Sequence, residues 1–269
     1  MSYVMLSRVQ CIDQLFILKK LDPKRIFISK EALQEHDKME KKSFNKNPTI
    51  WEKDCHILKV SFLNIQSIRD KIQYLAADKM ILKGDVIALG ETWLDSDVVD
   101  ATLNLPGYQL SLNSWEYNSR GVATYFHSDK LSKVEDFKGE MFQITKISSA
   151  DIDVINIYRS PRATNAVDSD LVMRLGNMID QSRQTIIGGD FNICFQKKRG
   201  NIVLVTLESL GFNQLVSTAT HIEGGFLDIV FSNHNIFKKY EVVTQLYSPY
   251  FTYKDHDAVL VSVILVSSM

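Results

Sequence analysis

The chain has 269 residues, 45% of them hydrophobic, with a formal net charge of −1. That composition belongs to a folded globular protein, and the near-neutral balance gives no overall basic field for nucleic acid, so any such contact has to come from a local patch. Three scattered cysteines (Cys11, Cys55, Cys194) argue against a disulfide framework or a zinc site, no apolar run nears membrane-spanning length, and no signal-peptide layout opens the sequence, so a soluble protein of a reducing compartment with no membrane partner is expected.

Residues 1–42 differ in character from the rest. Tyr3-Val4-Met5-Leu6-Ser7-Arg8-Val9 leads to an apolar Leu15–Leu18, to Asp22-Pro23, and to a helix-like Lys30–Lys41. Residues 43–54, with Asn45, Asn47 and Pro48, read as a polar linker, and one large domain is expected over 55–267. Its first strand is Ile57–Leu63. Ser67 then stands where it could cap a helix in which Ile68, Ile72 and Leu75 recur at helical spacing, with Gly84 as the stop. Asp85–Leu89 is a second buried strand, and Pro106-Gly107 a turn. Arg120–His127, Phe142–Ile147 and Ile152–Tyr158 read as strands, whereas 130–140 reads as short and irregular. Leu171, Leu175, Met178 and Ile179 mark a helix. Thr185–Ile187 is a short strand, left through Gly188 and Gly189, which allow a backbone conformation closed to other residues. A helix over Ile202–Leu210 ends at Gly211. Strands at Leu227–Phe231, Tyr240–Leu246 and Ala258–Val266 complete the chain. Many strands with few helices predict an α/β domain, a two-sheet β-sandwich flanked by helices.

Polar residues recur at the ends of the apolar strands: Asn64, Glu91, Tyr158, Asp190 with Asn192, Asp228, and Asp255 with His256. Strand ends of that kind converge on one rim of a sandwich, where rigid elements hold catalytic groups. A carboxylate at such a place is the hard oxygen ligand that magnesium takes. An Asp–His pair fixes the imidazole tautomer and raises its basicity. Each residue also has a plainer reading: Gly188–Asn192 as a turn, Tyr158 as a core aromatic, Asn64 as a helix-leading cap, His256 as a structural histidine.

The ordered motifs Leu-Asn-Ile-Gln-Ser (63–67), Gly-Glu-Thr-Trp-Leu (90–94), Ile-Tyr-Arg-Ser-Pro (157–161), Gly-Gly-Asp-Phe-Asn (188–192), Thr-His-x4-Phe-Leu-Asp-Ile-Val (220–230) and Asp-His-Asp-Ala-Val (255–259) resemble the endonuclease/exonuclease/phosphatase superfamily. Within it, the likeness is to the endonucleases of non-LTR (LINE-type) retrotransposons, relatives of the abasic-site endonucleases and of DNase I. The resemblance implies a four-layer, DNase I-like fold, DNA as partner, magnesium or its substitute manganese as cofactor, and a nuclear place of action. It implies Glu91 as a metal ligand with Asn64 beside it, and Asp255 completing the metal and phosphate environment. His256 would act as base or as stabiliser of phosphate charge, oriented by Asp228. Asp190 and Asn192 would position the attacking water and the scissile phosphate, and Tyr158 would donate to a phosphate oxygen. Thr220, Lys254 and Arg159 are the expected substrate contacts, and the basic Lys197-Lys198-Arg199 suits a nucleic-acid backbone. Two departures stand out: Lys254 where relatives carry serine, and Gly121 alone where they often carry two or three glycines.

The Tyr3–Val9 segment is similar to the C-terminal end of Pif-type DNA helicases, in which Arg8 would be the arginine that reaches a nucleotide γ-phosphate. The sequence holds no Gly-Lys dipeptide and so no Walker A loop; the expectation is the tail of a longer helicase-bearing polyprotein. The leading functional expectation is a DNA-nicking endonuclease of a mobile element that leaves 3′-hydroxyl ends. A phosphoesterase acting on phosphoinositides or phospholipid headgroups would use the same residues. A non-catalytic DNA-binding remnant is the third reading, which the intact polar set opposes and Lys254 favours.

Overall fold

The computed structural model describes residues 56–78, 81–95, 101–115, 120–197, 200–233, 240–244 and 255–265. The chain divides between Asp54 and Cys55 into two units, and the description concerns the second. The helicase-like segment with Arg8, and also Lys254, Lys198 and Arg199, lie outside the described residues.

Two six-stranded sheets form the domain. The first contains His56–Asn64 (β1), Val86–Gly90 (β2), Gln109–Asn113 (β3), Val122–Phe126 (β4), Tyr240–Thr244 (β11) and Val259–Leu265 (β12), in the order β11-β12-β1-β2-β4-β3. The second contains Lys133–Lys138 (β5), Phe142–Ser148 (β6), Ile152–Arg159 (β7), Gln184–Asp190 (β8), Phe212–Gln214 (β9) and Asp228–Asn233 (β10), in the order β5-β6-β7-β8-β10-β9. Each sheet is built around one parallel pair. β1 runs beside β2 with Asn64 opposite Gly90, and β7 beside β8 with Tyr158 opposite Asp190. The remaining neighbours pair antiparallel.

Side-chain alternation along the strands makes the layers. Leu58, Val60 and Phe62 of β1, Val86 and Ala88 of β2, Ile152 and Val154 of β7, Ile186 of β8 and Val230 of β10 share one buried cluster, the filling between the sheets. The intervening residues face outward. Ile155, Ile157, Ile187 and Ile229 pack under the helices Asn165–Met178 (α2) and Ile202–Ser209 (α3). Leu63, Ile87, Leu89 and Tyr125 pack with Leu75 of the short helix Ile72–Leu75 (α1). Sheets covered on both faces give strands that are buried throughout, as β2, β4, β6, β7, β8 and β10 are. The result is the expected sandwich of two sheets with helices outside. Among the described residues no helix is long and apolar enough to cross a membrane.

Three local expectations need correction. The helix after β1 is one turn, not a long helix capped by Ser67: Ser67 has φ 79°, and the N–H groups of Ser67 and Ile68 bond across to the Glu91 and Thr92 carbonyls instead. Residues 133–138 are a regular edge strand whose charged side chains hid its period and keep such an edge from pairing with other chains. The third concerns the glycine pair, which does not end its strand. Gly188 and Gly189 lie inside β8. A Cβ on Gly188 would come within 2.7 Å of the Phe62 ring, and Gly189, at φ 130°, lies against the Ile157 carbonyl.

Candidate active site

Inward-facing positions recur every second residue, and at one rim of the sandwich the series changes from apolar to polar. Leu58, Val60 and Phe62 are followed by Asn64; Ile152 and Val154 by Asn156 and Tyr158; Ile186 and Gly188 by Asp190. On β10, which runs the opposite way, Val230 is preceded by Asp228. Register brings these ends together: Asp190 is opposite both Tyr158 and Asp228. His256 stands three residues before Val259, which pairs with Phe62, so it reaches the same rim. The site is therefore the polar end of the inter-sheet core, and its side chains inherit the rigidity of six strands.

Within the rim the side chains form one network. Asn64 Nδ2 donates to Asp190 Oδ2 (2.8 Å) and lies 3.4 Å from His256 Nε2. Asn192 donates from its backbone N–H to Asp190 Oδ1 (2.9 Å) and from Nδ2 to Asp190 Oδ2 (3.0 Å). Asp228 Oδ2 holds His256 Nδ1 at 2.8 Å, while its other oxygen is buried without a hydrogen-bond partner. Glu91, half-buried just past β2, stands beside the Tyr158 hydroxyl.

The loops leaving the rim are strained. All five described non-glycine residues with positive φ lie there: Gln66, Ser67, Glu91, Trp93 and Asn192, between 44° and 79°. Such conformations persist where surrounding structure holds them, and they cluster at functional sites. Here the holding bonds are Ser67 N–H to Glu91 O, Thr92 N–H to Gly121 O and Trp93 N–H to Arg120 O.

Charge in the rim is unbalanced. Burial, then the nearby Asp228 carboxylate, pushes Asp190 up to about 8. Burial works against the charged form of His256, yet its bond to Asp228 and the charges of Asp228, Asp190 and Glu91 outweigh that and lift it to about 9. Burial and the Glu91 and Asp190 charges raise Tyr158 strongly, so its hydroxyl is a donor at any physiological pH. The Glu91 and Asp228 carboxylates, joined by Asp190 once pH passes about 8, thus face one imidazolium.

The sequence-predicted residues divide three ways. Asn64, Glu91, Tyr158, Asp190, Asn192, Asp228 and His256 are brought together. Asp255 stands on the flank, its Oδ2 taking Gln66 Nε2 at 3.2 Å. Arg159 and Thr220, expected to touch substrate, are framework instead. All five guanidinium N–H donors of Arg159 are occupied: two by Asp168 (2.6 and 3.1 Å), the others by the Ser160, Phe191 and Ala163 carbonyls. The Arg159 backbone carbonyl accepts from Asn192 Nδ2 at 2.8 Å, so the residue braces the site from behind. Thr220 is fully buried, and its hydroxyl accepts from the Leu227 and Asp228 N–H groups, fixing the backbone that aims Asp228.

The sequence reading missed Gln66, the partner of Asp255, and His221. The His221 ring meets His256 edge-on at 4.8 Å. Only its place directly after Thr220 could have marked it.

Among the described residues no three His, Cys, Asp or Glu side chains are arranged to cage a metal. Magnesium does not require such a cage: it is held by one or two carboxylates with water and substrate oxygens. Glu91 and the Asn64 side chain, brought side by side by the β1–β2 pairing, are donors of that kind. The surplus negative charge and the orphaned Asp228 oxygen fit a cation too.

The profile of the Endonuclease/Exonuclease/phosphatase family matches residues 62–250. No curated protein matches the sequence. Among solved structures, the endonuclease domain of TRAS1, a telomere-specific non-LTR retrotransposon, superposes with a TM-score of 0.60 at 16% identity, over 78% of this chain and 99% of that one. An AP endonuclease from Archaeoglobus fulgidus gives 0.60 at 17%, over 77% and 99%. The human Nocturnin catalytic domain gives 0.57 at 17%, over 79% and 98%. At such identities the likeness is one of fold.

Proposed function

This chain belongs to the endonuclease/exonuclease/phosphatase family, whose members are hydrolases of phosphodiester bonds, and from that premise we propose that it is a divalent-metal-dependent endonuclease that nicks DNA and leaves a 3′-hydroxyl. The observation that carries the reading is the single network in which Asp190 is held by Asn64 and Asn192, and Asn64 in turn lies beside His256, which is held by Asp228. The fold shared with a retrotransposon endonuclease domain supports a mobile-element role, with the nucleus as the place of action.

The residues divide the work as follows. A divalent cation would supply charge neutralisation at the phosphoryl oxygens, and Glu91 with the Asn64 side-chain oxygen would hold it. Asp190, raised towards neutrality, accepts the proton of the attacking water, because a carboxylate poised near the working pH is the effective general base. His256, kept protonated by Asp228, presents Nε2–H to the phosphoryl oxygens. Tyr158, a hydroxyl with no tendency to ionise, donates a hydrogen bond to the same group. Donors aimed in advance at developing charge are the largest source of catalysis in such sites.

The test is nicking of supercoiled plasmid by the purified chain, with magnesium and with chelator, beside Asp190→Ala and His256→Ala. Metal-dependent nicking that falls at least about 100-fold in both variants is expected, the usual scale for losing a general base or a charge stabiliser. A folded protein that leaves plasmid intact but dephosphorylates phosphoinositides would replace the nuclease by the phosphoesterase reading.

A further inference from the structure

Residues 91–93 leave β2 along the segment that begins β4. Thr92 N–H donates to the Gly121 carbonyl at 3.2 Å and Trp93 N–H to the Arg120 carbonyl at 3.0 Å. Gly121, at φ 100°, is packed so closely that a Cβ would stand 2.6 Å from Thr92 Oγ1. Arg120 is therefore anchored by its backbone beside Glu91. Its guanidinium lies over the Trp115 ring, 5.4 Å from the centroid, and makes one long hydrogen bond, 3.3 Å, to the Glu140 carbonyl. No carboxylate pairs with it among the salt bridges of the described residues.

An arginine has five N–H donors in a fork that matches phosphate. Here one long hydrogen bond is made by a half-buried side chain that lies over an aromatic ring and forms no ion pair among the described residues. These backbone bonds set Arg120 against Trp93, two residues past Glu91, which puts this cation beside the rim of the site, and its charge opposes that of Glu91 at the Tyr158 hydroxyl. The rim otherwise carries the Glu91 and Asp228 carboxylates against His256, a balance that offers a polyanion no further cation. Trp93, bonded through its backbone to Arg120, leaves 40% of its surface exposed, and aromatic rings and cations along one groove are what nucleic-acid-binding surfaces use for stacking and charge.

We propose that Arg120, laid on Trp115, is a substrate-binding residue that takes a phosphate oxygen of the DNA strand beside Glu91, with Trp93 offering its ring to the adjoining nucleotide. This rests on the nuclease reading above.

The experiment compares the full chain with Arg120→Met, Arg120→Lys and Trp93→Ala. Nicking of plasmid is measured with magnesium over a range of DNA and salt concentrations. Binding of a labelled duplex is measured separately by fluorescence anisotropy in calcium. Arg120→Met should lower kcat/KM at least about 10-fold, mainly through KM. It should also reduce the slope of log affinity against log salt by about one, the signature of one lost phosphate contact. Arg120→Lys should restore the slope but not the full affinity, and Trp93→Ala should weaken binding with the slope unchanged. Unfolding temperatures should be alike, because the side chain is not a core group. If Arg120→Met nicks and binds like the unmodified chain, the proposal is overturned while the nuclease stands. A chain that binds duplex with the Arg120-dependent slope yet never nicks keeps the binding residue and loses the nuclease. A chain that neither binds nor nicks loses both.

Discussion

At the scale of single residues the site is a problem of charge. Asp190 and His256 both hold a proton more tightly in the folded protein than in the open chain, at about 8 against an ordinary 3.8 and about 9 against an ordinary 6.5. The folded state then binds more protons than the unfolded one, and stability falls as pH rises. The Asp190 contribution is fully present below the ordinary carboxylate range and is lost as pH climbs through about 8. The His256 contribution is full below 6.5 and is lost through about 9. In chelator the unfolding temperature should therefore decline steadily from about pH 6 to 9, and magnesium should lift it most at the alkaline end, where the cation replaces the missing protons. A flat profile by differential scanning calorimetry would mean the carboxylates are not held as described. Glu91→Gln should leave the fold intact and raise the magnesium concentration needed for half-maximal nicking, read from a metal titration.

Elements decide how well those residues are held. Arg159 ends β7, Asp168 lies on α2, and Asn201, which caps α3, donates to Asp168 Oδ2 at 2.8 Å. One buried ion pair thus ties two helices to the strand whose carbonyl positions Asn192. Asp168→Ala leaves a buried guanidinium unpaired and should cost about 3–5 kcal/mol by urea denaturation; replacing Arg159 and Asp168 together by apolar residues should cost clearly less than either single change suggests. Gly188→Ala drives a methyl into Phe62 and should cost about 1–3 kcal/mol as an overpacking substitution, and Phe62→Leu in the same chain should recover part of it. The sequence showed the glycines and the polar residues after them, but not what the glycines are for. A glycine that opens a turn and one that admits a ring from the facing sheet look alike until the partner strand is known. Arg159 misled for a related reason: an arginine next to Tyr158 in a motif of site residues reads as a phosphate contact, and the carboxylate that captures it stands nine residues on, inside a helix pattern.

For the whole molecule, the two-sheet architecture was legible because apolar runs of strand length outnumber helical periods. The seven converging residues were legible because each stands at or next to an end of such a run, Asp228 and His256 at the start and the others at the finish. Pairing order was not, since β1 meets β2 on one side and β12, some two hundred residues later, on the other. Buried asparagines set how the sheets face each other. Asn156 donates from the second sheet to the Leu89 carbonyl and Thr124 Oγ1 of the first, and Asn113 donates from the first to the Phe137 and Ile144 carbonyls of the second. Hydrogen exchange should be slowest in β1, β2, β7 and β8, which are covered on both faces and paired on both sides, and faster in the edge strands β3 and β5. Comparable protection at centre and edge would count against that ranking. The long reach from β1 to β12 also governs how the protein is made. On the ribosome β1 and β2 emerge early, but the flank of β1 away from β2 has no partner until residues 259–265 leave the exit tunnel. Nearly the whole domain must be translated with that edge bare, so folding is slow by topology, nascent chains are exposed to aggregation, and loss of the last strand alone would unmake a sheet whose first strand was laid down at the start.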